Sequence, residues 1–232
     1  MKAIAIASLI ITGIGTTVIA TSAPASALSF SFQNITGGDT DGDTFVNNFS
    51  VDVTDNGNDT VLFKFSNQAS GSQAGQSLKQ VAFSVDPTKS GLLSASNMVL
   101  NVGNVGTVNF EKSTKNLSQS NNISGWNDKG EFGANTIGGQ GGNDNAVQGG
   151  ESLGITFNAN FNDVIAALNA RTLMVGIHVG SLTNGASDSY FNAIPSPQPP
   201  KSVPEPGLLI GLFGITPFAA AWLKRKNLKP AA

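Results

Sequence analysis

The most suggestive arrangement of chemical groups in the 232-residue sequence is Gly150-Glu151-Ser152-Leu153-Gly154, followed along the chain by Asp163 and His178. A G-x-S-x-G run with an acid and then a histidine after it has the order of nucleophile, acid and base found in esterases, where the serine sits on a strand–turn–helix elbow. The surroundings oppose that reading. A glycine-rich run precedes Ser152, a strand-like alternation follows it, and the folding body is short for an α/β hydrolase sheet. The two glycines therefore read as punctuation where a loop enters a strand. His178 is the only histidine, so any general base, triad or zinc site would rest on it alone. In the alternation Leu173, Val175, Ile177, Val179 it falls on the opposite face with Met174 and Gly176, which predicts a solvent-facing strand residue.

Carboxylates offer two further chemistries. Asp39-Thr40-Asp41-Gly42-Asp43 crowds three acids, and hard oxygens so spaced suit Ca²⁺. Aligned as an EF-hand with Gly42 at the required glycine, the loop starts on Gly37 and ends on Asn48, so two ligand carboxylates are missing. Asp39, Asp41 and Asp43 are thus candidates for a weak surface Ca²⁺ site, with no other cofactor implied. A glycosidase needs two carboxyl groups facing each other across a cleft, and the body offers only Glu111, Glu131 and Glu151 in addition to its aspartates. The absence of cysteine excludes disulfides, thiolate metal sites and cysteine nucleophiles.

These residues sit in a body that runs from Leu28 to Ile194 and carries seven basic residues against fourteen acidic ones, a net charge of −7. Such a surface repels phosphate backbones, so nucleic acid is not an expected partner. Charged residues are only 12% of the chain, while 27 glycines and many Asn, Ser and Thr fill the remainder, a balance that suits extracellular β-proteins.

The elements that must position these groups are strands. Leu28 to Phe32 alternates apolar and polar residues, and Phe49 to Thr54 pairs through Asp55-Asn56-Gly57-Asn58-Asp59 with Thr60 to Phe65 as a hairpin. Further strands are expected at Gln80 to Val85, Met98 to Val102, Val105 to Phe110, Leu153 to Phe157 and Thr172 to Val179. The fold class read from this spacing is all-β, an antiparallel sandwich or jelly-roll. One short helix is expected over Asn160 to Leu168, capped by Asn160 or Asn162. Between Ser113 and Gly150 the periodicity dissolves, and the stretch reads as one or two long mobile loops.

The flanking segments speak about location. Lys2 precedes an apolar stretch from Ile4 to Ile19, and Ala25-Ser26-Ala27 has the small residues that signal peptidase reads, so residues 1–27 are expected to be a signal peptide, helical before removal. Residues 195–203 are proline-rich and form a stiff extended linker of about 30 Å together with Ile194. Pro204, Glu205 and Pro206 follow, then seventeen uncharged residues from Gly207 to Leu223, then Lys224, Arg225 and Lys226. The uncharged run is long enough for a short transmembrane helix of about 25 Å, and the basic cluster behind it would stay on the cytoplasmic side.

In this order of motif, apolar helix and basic cluster, residues 204–229 resemble the PEP-CTERM sorting signal of exported bacterial proteins. The resemblance implies that Pro204, Glu205 and Pro206 are recognition residues for an exosortase-like membrane enzyme, which removes the tail and passes the protein to the cell surface or its polymer matrix. The implied function is that of a non-enzymatic, exported surface or extracellular-matrix protein associated with exopolysaccharide. Its implied partners are signal peptidase, the sorting enzyme, the membrane before processing, and polysaccharide. A carbohydrate-active hydrolase of the matrix is the alternative.

Overall fold

The computed structural model describes residues 26–138 and 143–194. Ten strands form a single antiparallel sheet: β1 (Ala27–Asn34), β2 (Phe49–Asp55), β3 (Thr60–Asn67), β4 (Ser77–Val85), β5 (Met98–Leu100), β6 (Phe110–Ser113), β7 (Glu131–Thr136), β8 (Ser152–Asn158), β9 (Leu173–Gly180) and β10 (Asp188–Asn192), with one α-helix, α1 (Phe161–Asn169). Their lateral order is β5-β8-β3-β2-β1-β10-β9-β4-β7-β6. Among the described residues no helix is long and apolar enough to cross a membrane.

The sheet folds over on itself at β1. Ala27 to Ser31 pair with β2, and Phe32 to Asn34 pair with β10, so one strand serves both halves. The two halves then face each other across one core, to which β2, β3 and β8 contribute Val51, Phe63, Phe65, Ile155 and Phe157 while β4 and β9 contribute Val81, Phe83, Val175 and Ile177. The far edges also approach. The carboxamide of Asn101 accepts from Phe110 N (3.0 Å) and donates to Phe110 O (2.9 Å), standing in for a strand residue between β5 and β6. The outcome is a nearly closed sheet where the sequence suggested two separate stacked ones.

Local signals explain most elements. The β2–β3 hairpin turns through Gly57, Asn58 and Asp59, all at positive φ, and the side chain of Asp55 accepts from Gly57 N at 2.9 Å. Asn160 caps α1 by accepting from Asn162 N and Asp163 N, as its residue type predicts. Two expectations fail. Val105 to Phe110 is not a strand: Val105 forms only an isolated bridge to Ser152, and pairing resumes at Phe110. The stretch from Ser113 to Gly150 is not simply mobile loop, because it contains β7, and residues 114–130 lie as a strap on the outside of β4 and β9. β10 has no clear signal in the sequence, its five residues DSYFN carrying only a brief alternation.

The strap is held by a second, smaller cluster in which Leu117, Ile123 and Trp126 pack on Ala82, Met174 and Phe191. Gly176 makes room for it, since a β-carbon there would stand 2.3 Å from Leu117 Cδ2. Polar ties complete the seal: Gln80 Nε2 donates to Lys115 O (2.8 Å), Ser84 Oγ accepts from Asn127 N (2.7 Å), and Asn127 Nδ2 donates to Val85 O (2.7 Å).

Candidate functional sites

The G-x-S-x-G segment opens β8. Gly150 lies at positive φ in the turn before the strand, and at Gly154 a β-carbon would stand 1.8 Å from Val102 O, so each glycine has a backbone reason to be there. Leu153 and Ile155 point into the core, which by the two-residue period sends Ser152 to the outer face of its half of the sheet. Ile177 and Val179 point into the core from the other half, which sends His178 to the opposite outer face. Two packed sheet layers, about 10 Å apart, separate the serine from the histidine. Asp163 is exposed on α1. The three residues are not brought together.

His178 is nevertheless not the solvent-facing residue that alternation predicts. It is 7% exposed, on the sheet face over which the strap packs, and its Nδ1 lies 3.0 Å from Ser189 Oγ on β10. Burial, and then the charge of nearby Lys79, push its pKa below the ordinary value of 6.5. The unfolded chain therefore takes up this proton at a higher pH than the folded one. Stability contributed by the neutral ring is full above about pH 6.5 and declines as pH falls below it, until the depressed folded pKa is passed. The wild-type melting temperature is expected to drop more between about pH 7.5 and about pH 5 than that of His178→Gln. Burial raises the pKa of both Asp188 and Glu131, which gives the opposite slope, but those groups are common to both proteins and cancel in the difference. Equal slopes in the two proteins would show that the buried ring does not govern this response.

The glutamates serve as anchors for loops. Glu131 accepts from Leu117 N and from Trp126 Nε1 (2.8 Å), tying the strap to β7. Glu151 accepts from Thr107 N (3.1 Å) and Gln148 N (2.9 Å). Glu111 is exposed on the edge strand β6. A groove of about 500 Å³ lies between Thr88–Leu92 and α1, where Asp163 and Lys89 supply the charge.

In the aspartate loop, Asp39 and Asp41 are exposed and linked, with Asp39 Oδ1 accepting from Asp41 N at 3.1 Å. Asp43 begins the short 3₁₀ segment Asp43–Asn48. Among the described residues no three acidic or imidazole groups stand together as a metal cluster. Beneath the loop lies a residue that the sequence pattern did not mark, Asp188 of β10, which is 1% exposed. Tyr190, two residues on, donates its hydroxyl to Gly42 O at 2.6 Å. Burial, reinforced by Asp188 and Asp43, pushes the Tyr190 phenol far up, so it stays a neutral donor.

No aromatic ring among the described residues is exposed: Phe45, Trp126, Phe132 and Phe161 are half-buried and the others buried. The outer face of β1, β2 and β3 is polar instead. Ser29, Asp52 and Lys64 stand in register across it, as do Ser31, Ser50 and Ser66, and Ser29 Oγ donates to Asp52.

Ala27 of the expected cleavage site is the first residue of β1. Ala25, the signal segment, the proline-rich linker, Pro204, Glu205, Pro206, the uncharged run Gly207 to Leu223 and the cluster Lys224, Arg225, Lys226 all lie outside the described residues. No protein-family model, curated protein or solved structure matches the chain.

Proposed function

We propose that this chain is an exported, non-enzymatic protein of the cell surface or extracellular matrix, delivered by a cleavable signal peptide and sorted through a PEP-CTERM-like tail. The observation that carries the reading is the succession of proline-rich linker, Pro204-Glu205-Pro206, uncharged run and Lys224-Arg225-Lys226, preceded far upstream by Lys2, an apolar stretch and Ala25-Ser26-Ala27. Both segments put the β body on the same side of a membrane. A hydrophobic helix places the tail within reach of a membrane enzyme, and the stiff linker holds the motif clear of the body.

The body suits that destination. Its polar ladder of Ser, Thr, Asp and Lys on β1 to β3 offers hydroxyl and carboxylate partners to hydrated polymer without an apolar patch, and its acidic balance keeps it soluble among anionic neighbours. In the absence of exposed rings among the described residues, contact with polysaccharide there would rest on hydrogen bonding and not on stacking of sugars against aromatics.

Replacing Pro204, Glu205 and Pro206 together with alanine tests the sorting step. The altered chain is expected to accumulate in the membrane fraction at its unprocessed mass, with release reduced at least about tenfold, because the apolar helix remains while the recognition residues are gone. Undiminished release of the altered protein would count against this function.

A further inference from the structure

Under the aspartate loop, where β1 ends and β10 begins, two buried acceptor oxygens have nothing to accept from. Asp188 Oδ1 accepts from Ser189 N (2.7 Å) and Gln119 Nε2 (3.4 Å), but its Oδ2 has no hydrogen-bond partner, although the residue is 1% exposed. Asn34 of β1 stands opposite Tyr190 in the β1–β10 register, and Asp188 is two residues from Tyr190, so all three side chains share one face at one end of the sheet. The carboxamide of Asn34 donates through Nδ2 to Asp43 O (3.3 Å), which fixes its orientation and leaves a buried Oδ1 without a partner. The backbone at Gly42 closes over the group: a β-carbon there would stand 2.6 Å from Asp188 Oδ2. Asp188 Oδ2 therefore faces Gly42, and the carboxamide that carries Asn34 Oδ1 is held against the neighbouring residue, Asp43.

The charges acting on Asp188 are those of Asp43 and Asp39, both negative. A buried carboxylate among like charges must be neutralised, by a proton or by a cation. A cation held at this place would take both unpartnered oxygens as ligands at once.

We propose that Asp188, Asn34 and Asp43 ligate a divalent cation, Ca²⁺ by its chemistry, between the start of β10 and the Gly42 loop. The donors are carboxylate and amide oxygens only, the set that Ca²⁺ accepts with irregular geometry, whereas Zn²⁺ and its neighbours favour nitrogen or sulfur and Mg²⁺ demands a strict octahedron. Asp39, exposed at the loop tip, adds attraction from outside. This moves the cation from the exposed three-aspartate turn to a buried anchor about 150 residues later in the chain.

The test is thermal melting of the full chain in chelator and in Ca²⁺, with Tb³⁺ luminescence as a second probe. Tyr190 is the only tyrosine, and its hydroxyl already bonds Gly42, so it is placed to sensitise a bound lanthanide. A Ca²⁺ concentration about 100 times Kd is expected to raise the melting temperature by about 5–10 °C. Asp188→Asn should abolish the rise, and Asp43→Asn should weaken binding at least about tenfold. If Asp188→Asn does not fold, loss of tyrosine-sensitised emission in Asp43→Asn decides the matter. The site is refuted if the wild type shows no shift at about 10 mM Ca²⁺, or if shift and emission persist in both variants.

Discussion

Phe83→Ala is expected to cost about 3–5 kcal/mol, a large part of the roughly 5–15 kcal/mol that holds a domain of this size together. Phe83 is fully buried on the inner face of β4, and its ring lies 5.0 Å from Phe157, 5.3 Å from Phe63, 5.6 Å from Phe132 and 6.2 Å from Phe65. Three of these four contacts are edge-to-face, the arrangement that the aromatic quadrupole favours beyond simple burial. The ring joins strands from both halves of the sheet, so its loss opens a cavity at the centre of the fold, where neighbours cannot collapse without displacing each other. Urea unfolding monitored by circular dichroism measures the effect. Val99→Ser, at a position 57% exposed on the edge strand, is the matched control and should stay within about 0.5 kcal/mol of wild type. Comparable losses at the two sites would show that the aromatic cluster does not organise the fold.

The second large effect separates structure from catalysis in the G-x-S-x-G segment. Gly154→Val is expected to destabilise by more than about 3 kcal/mol, since its β-carbon would overlap the carbonyl of Val102, a residue whose own N–H donates to Gly154 O. Ser152→Ala is expected to be neutral or slightly stabilising, because Ser152 Oγ is buried without a hydrogen-bond partner and its removal relieves an unsatisfied polar group. A hydrolase would invert the pattern of functional loss, with Ser152→Ala abolishing activity while leaving stability unchanged. Denaturation midpoints of both variants, read beside hydrolysis of a short-chain ester, distinguish the two accounts.

Local chemistry made much of this fold readable in advance. Strands β2, β3, β8 and β9 announce themselves by clean alternation, and the Asn-Gly turn and the Asn160 cap each state their geometry in residue types. What escaped is what depends on contacts distant in sequence. β7 reads EFGANT, with a glycine whose place is taken by the backbone of β4, since a β-carbon on Gly133 would stand 2.0 Å from Val81 O. Such a residue weakens the strand signal because it is tightly packed.

His178 shows the same limit. Alternation gives its face, but not that a strap anchored by Leu117, Trp126 and Glu131, which share no period with it, packs over that face. One sign was present in the sequence: Leu117, Ile123 and Trp126 are large apolar residues in a stretch otherwise rich in Asn, Ser and Gly, and such residues need a surface to cover. Asp188 was hidden for a related reason. It lies 145 residues beyond Asp43, and the β1–β10 pairing brings these two parts of the β body together.

Under the proposed function this β body is delivered and then freed by processing at both flanks. The most direct measurement is intact-mass and terminal-peptide mass spectrometry of the native protein, recovered separately from membrane, cell surface and medium. A form outside the cell that begins near Leu28 and ends close to Pro204, Glu205 and Pro206 is expected. Full-length protein held in the membrane, with Gly207 to Leu223 still attached, would contradict it.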